Sequence, residues 1–160
     1  MVIIEGLVVC LILLTACVVG IANGAVNLVC LYEKEVQDKV VAMGLITREK
    51  IKRNKWLFLL FGMVPCWIFM LWAVYGLNGA RGFWDGFWQI YVIMMMEGLF
   101  DRLFIDWYWV GKTKAWVIAG TEELMPYIYG KTLAVKWIGT IVGSPVIAAA
   151  LSGIIMCLVR

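Results

Sequence analysis

Glu97, Asp101, Arg102 and Asp106 fall within ten residues of one another, in a stretch (94–107) that is otherwise apolar. Placing a charge at the centre of a membrane helix costs roughly 2.5–3.5 kcal/mol on insertion scales, so such residues are rare unless something requires them. Helical phase divides the group. Glu97, Asp101 and Tyr108 share one stripe, while Arg102 and Asp106 form an i,i+4 pair roughly a third of a turn away. Two carboxylates in a low-dielectric setting can take up and hand on protons. A carboxylate pair can also serve as acid and base in an intramembrane enzyme. A lysine facing them offers a counter-ion, or a site for an anionic group.

Depth along the helix suggests their neighbours. At about 1.5 Å per residue, Asp101 lies roughly 7 Å, and Glu97 roughly 13 Å, inside the basic end of its apolar stretch. Lys136 and Asn27 fall near the level of Asp101, and Asn23 and Thr140 near that of Glu97. The expectation is a polar layer of Glu97, Asp101, Lys136, Asn23 and Asn27, pairing Asp101 with Lys136 and Glu97 with Asn23 or Thr140. Arg102 with Asp106 reads as an interfacial salt bridge whose ends snorkel to the surface.

Other chemistries find little support. The chain has no histidine, the commonest metal ligand and physiological-pH switch. Cys10, Cys17, Cys30, Cys66 and Cys157 form no C-x-x-C pair and read as small buried hydrophobes, so neither metal nor cofactor is expected. Gly111-Lys112-Thr113 imitates the end of a phosphate-binding loop, but Asp106 stands where its first glycine belongs.

The elements holding these residues belong to a membrane protein. Hydrophobic residues make up 64% of the 160 and charged residues 16%, with mean hydropathy +0.91. A soluble domain has about 45–50% and about 25%. Four stretches reach the roughly 20 residues needed to cross a bilayer, at about 3–32, 56–77, 83–106 and 132–159. The connection 33–55 carries seven basic residues and the connection 107–131 three, against only Arg81 in the remaining turn. Positive-inside bias therefore predicts an all-α four-helix bundle with both basic connections cytoplasmic and both termini outside. Leu14-Thr15-Ala16-Cys17 looks superficially like a lipoprotein cleavage site. However, no basic segment precedes it and the apolar run continues, so an uncleaved helix is expected.

Within 33–55, Val36, Val40 and Met43 recur at helical spacing and Glu35 with Lys39 makes an i,i+4 pair. Gly44 suits a helix end and Thr47 a following N-cap. These signals predict a protruding helical hairpin able to dock a cytoplasmic partner or anionic lipid heads. Thr121 reads as the cap of a short helix holding Glu122 and Glu123, in a segment that could cover the polar layer. Most of the nine tryptophans read as interfacial belts, Trp84 and Trp88 near the outer surface and Trp56, Trp107, Trp109, Trp116 and Trp137 near the inner one. Gly20 with Gly24, and Gly139 with Gly143, supply G-x-x-x-G packing faces, within the chain or in a homo-oligomer. Pro65 and Pro145 permit kinks.

The function expected first is a small transporter or channel-like protein of the plasma or bacterial inner membrane, for a small polar or ionic solute. The alternatives are an embedded enzyme acting on a lipid-linked substrate and a scaffold docking through its hairpin. Membrane lipids are the expected surroundings, and nucleic acid is not an expected partner.

Overall fold

A computed structural model describes residues 1–158, and among them all regular structure is helical. Helix α1 is Val2–Ile21, followed by a 3-10 run Ala25–Leu31. Helix α2 is Lys34–Ala42, α3 is Arg48–Leu77 and α5 is Gly130–Leu158. Helix α4 begins as Phe83–Phe100 and continues unbroken through Asp101–Val110 with wider, π-type turns. Among the described residues three helices, α1, α3 and α5, are long and apolar enough to cross a membrane, as in a multi-pass membrane protein. Helix α4 carries the charged residues.

Helix α4 is central, with α1 and α5 packed against it and α3 packed against α1. Val9, Leu13, Ile90, Ile93, Val74 and Ala148 form the buried seam. Phe61, Ile68, Trp84, Ile138 and Val146 point away from it and are more than half exposed. That inversion suits a hydrocarbon surround.

Two expectations about α1 and the glycines are corrected. The first helix stops at Ile21 instead of continuing to Tyr32. Asn23-Gly24 is the cause, since Gly24 takes φ +110° and the chain restarts as the tighter 3-10 run. The four-residue glycine spacings do not act as pairs within the chain. Gly20 packs closely against Leu28, but Gly24 lies outside the helix, and an added Cβ at Gly24 or Gly139 would meet nothing within 4 Å. A close approach between helices is at Gly98, where an added Cβ would lie 2.7 Å from Thr140 Cγ2.

The prolines act through hydrogen-bond register. Each lacks the amide that would bond four residues back, and each follows a π turn. The Val64 N–H reaches Leu59 O just before Pro65, and the Ser144 N–H reaches Gly139 O just before Pro145. Such turns widen the helix and shift the faces of the residues beyond them.

The hairpin forms as the local signals indicate. Gly44 turns at φ +72°, and the Thr47 hydroxyl accepts from the Lys50 N–H at 3.3 Å. Its apolar stripe of Val36, Val40, Ile46 and Ile51 is buried within the chain. Glu35 and Lys39 do not pair with each other. Glu35 accepts from the Tyr129 hydroxyl at 2.8 Å and Lys39 pairs with Glu123, so both hold the 107–131 connection onto the hairpin.

Candidate functional site: a buried charge network under an aromatic cap

The network centres on Asp106. Lys136 Nζ donates to Asp106 Oδ1 at 2.8 Å, and Arg102 Nε lies 3.0 Å from Asp106 Oδ2. The latter contact is ionic, because the Nε–H is not directed at the oxygen and neither atom completes a hydrogen bond. Arg102 also pairs with Asp101. Arg102 and Asp106 are only 7% and 5% exposed. They are therefore the buried heart of the network, correcting their reading as an interfacial pair with snorkelling ends. The expected Asp101–Lys136 pairing is likewise replaced by Asp106–Lys136. The wider turns of Asp101–Val110 explain both corrections. In an α-helix, residues five apart lie about 140° around the axis. An i→i+5 turn stacks them nearly in line, so Asp101 and Asp106 both reach Arg102.

Three neighbouring cavities with shared lining residues flank this network. One of about 180 Å³ is bounded by Met63, Cys66 and Trp67 of α3 and by Lys136, Gly139, Thr140 and Ser144 of α5, with Val9, Glu97, Gly98, Asp101 and Arg102 also lining it. Both proline-linked π turns contribute to its walls. The second, about 90 Å³, lies between Cys17, Tyr32, Asp101, Asp106, Trp116 and Lys136. The third, about 350 Å³, is lined by Cys30, Tyr32, Glu33, Lys34, Lys131 and Lys136 at the basic end. Lys136 lines all three, and Tyr32 lines the second and third.

The cap closing the basic end is aromatic. Tyr32 sits 4.8 Å from Tyr127 and 6.3 Å from Trp116 between ring centroids. Trp109 meets Trp116 edge-on at 4.9 Å. The Tyr127 hydroxyl accepts from the Ile118 N–H at 3.0 Å and lies 2.7 Å from Thr121 Oγ1. Thr121 thus locks the cap, and its side chain does not cap the short turn Glu122–Leu124. Trp116 is fully buried, correcting its reading as part of an interfacial belt. The Tyr32 hydroxyl and Trp116 Nε1 have no hydrogen-bond partner among the described residues. Glu33 fastens the next helix to this cap. Its carboxylate accepts from the Thr132 amide at 2.9 Å and hydroxyl at 2.6 Å. These bonds hold Glu33 below the usual carboxylate range, the Thr132 hydroxyl contributing most.

Of the residues expected in the polar layer, Glu97, Asp101 and Lys136 meet at one cavity, together with Thr140. Asn23 and Asn27 do not join them. Asn23 is exposed in the turn after α1, and Asn27 lines a separate groove between α1 and α3. Both displacements follow from the early end of α1. Sequence reasoning also missed a second polar cluster at the opposite end. There Asn78 donates to buried Glu5 at 2.9 Å and to Gln89 at 2.8 Å, and Gln89 donates to Asp85 at 2.8 Å. A lone glutamate in the first turn of an apolar helix was the available signal. Among the described residues no group of histidine, cysteine or carboxylate side chains could hold a metal ion.

Compared with protein-family models, with curated proteins and with solved structures, the chain matches none of them.

Proposed function

We propose that this chain is a small membrane transporter or channel-like protein that admits a small polar or ionic solute from its basic end to Glu97. Helix α4 is the fourth span in this reading, its charges satisfied internally by the Asp101–Arg102–Asp106–Lys136 network. The basic connections face the cytoplasm of a cell-membrane protein, because Lys and Arg concentrate there. The single observation carrying the proposal is that Lys136 lines three neighbouring cavities between Glu97 and the basic end. Ionisable residues lining cavities inside a membrane bundle mark solute or ion pathways. Glu97, in the innermost cavity, has no ion-pair partner among the described residues, while the neighbouring charges are neutralised in pairs.

The scaffold reading is less favoured, since the hairpin buries its apolar stripe against its own chain. The test is flux in proteoliposomes. Glu97→Gln abolishes pH-linked flux while the protein purifies and unfolds like the parent. Unchanged flux in that variant sinks the pathway.

A further inference from the structure

A groove of about 700 Å³ lies away from the charge network. Val8, Leu11 and Leu28 line one side and Leu57, Phe58 and Phe61 the other. Along α1 it extends from Gly20 to Val8, a length of roughly 18 Å at the helical rise. Half of a bilayer's hydrocarbon core is about 15 Å, so the groove is one leaflet deep.

Its amide-bearing residues gather at one end. Asn27 and Asn54 both line it, and Asn54 Nδ2 donates to the Asn27 carbonyl at 2.9 Å. On α3 the lining positions 54, 57, 58, 61 and 62 follow the helical repeat. One turn further toward the helix start, the same stripe passes through Lys50 and Arg53, both exposed. Trp56, 64% exposed, stands at the level where an interfacial tryptophan belongs. The groove is thus apolar for the length of one acyl chain, with two cations in phase at its mouth.

We propose that this groove binds an anionic phospholipid of the leaflet at the basic end. One acyl chain lies between α1 and α3, and the phosphate sits against Lys50 and Arg53. Guanidinium and ammonium groups give charge-assisted hydrogen bonds to phosphate oxygens. The attraction of a juxtamembrane cation for an anionic membrane surface corresponds to about fivefold in affinity per cation. This site is independent of the transport reading, since none of its residues belongs to the charge network.

The test titrates the purified full-length protein in detergent with phosphatidylglycerol or with phosphatidylcholine of the same chains, counting bound lipid by native mass spectrometry. One phosphatidylglycerol is expected to be retained in preference to phosphatidylcholine. The double variant Lys50→Gln/Arg53→Gln should weaken it by about 25-fold, while Lys112→Gln/Lys114→Gln removes equal charge elsewhere and leaves it unchanged. Thr15→Trp fills the exposed groove wall and should expel the lipid, with thermal unfolding confirming that the fold persists. Equal retention of the two lipids, equal loss in both charge variants, or full retention in Thr15→Trp overturns the proposal.

Discussion

Replacing Lys136 by methionine preserves most of the side chain's volume and removes the cation 2.8 Å from Asp106 Oδ1. Asp101, Arg102, Asp106 and Lys136 sum to zero charge, so the variant leaves a net negative charge around a carboxylate only 3% exposed. Arg102 cannot compensate, since it already serves Asp101 and is poorly aligned on Asp106. Removing one partner of a buried pair costs about 3–5 kcal/mol. Lys136 is 20% exposed at its side chain, which places the expected loss near the lower bound, about 3 kcal/mol. Asp106→Asn should cost a similar amount by stranding Lys136. Lys136→Met combined with Asp106→Leu restores neutrality, leaves the Asp101–Arg102 pair intact, and should recover most of the loss. Reversible unfolding in a fixed detergent, analysed as a double-mutant cycle, reads the coupling directly. A cost below about 0.5 kcal/mol for Lys136→Met, or a double variant as unstable as the sum of the singles, refutes the network as described.

Gly98→Ala forces a methyl against Thr140 and should cost about 1–3 kcal/mol; adding Thr140→Ala relieves it, as unfolding midpoints will show. The bonds from Thr132 favour ionised Glu33, so their stabilisation is present above the ordinary glutamate range and is lost as pH falls through the depressed value. The stability gap between the parent and Glu33→Gln should therefore be widest near neutrality and close on acidification, and a gap independent of pH contradicts the clamp. Tyr32 separates the inner cavities from the open one at the basic end. In a protein with Cys17 as its sole cysteine, Tyr32→Ala should expose that thiol to a membrane-impermeant reagent added from the basic side. Labelling as slow as with Tyr32 present would show that the barrier lies elsewhere.

Several local signals in the sequence were faithful, though the Glu35–Lys39 pair and the Thr121 cap were not. The apolar runs of α1, α3 and α5, the turn at Gly44 and the cap at Thr47 each depend on a few neighbouring residues, and each forms as those residues dictate. Depth was legible for Glu97, Asp101, Lys136 and Thr140, which meet, and misled for Asn23 and Asn27. Pairing was legible in part: the i,i+4 contact of Arg102 with Asp106 forms, but counting faces at 3.6 residues per turn misplaces partners where the helix adopts π turns. That error exchanged Asp101 for Asp106 as the partner of Lys136 and left Arg102 at the surface. Asn23-Gly24 ended α1 early because one left-handed glycine outweighs a continuing apolar run. The aromatic cap rests on contacts between residues as distant as Tyr32 and Tyr127, and composition alone assigns such rings to an interface.

The turn at Gly139–Gly143 has a further consequence for how this helix tolerates changes in length. A π turn is equivalent to one extra residue accommodated without breaking the helix. Deleting a single residue there would restore regular winding at little local cost. Because the widened turn absorbs that residue, its loss would leave Lys136 facing almost the same way relative to Ala148 and Ser152, which are buried on the far side of the turn. A deletion in the regularly wound part of the same helix has no such slack and rotates Lys136 by about 100° relative to them. Changes in length therefore act as substitutions of the polar face when they fall between the π turn and either buried end, and much less when they fall within the turn itself.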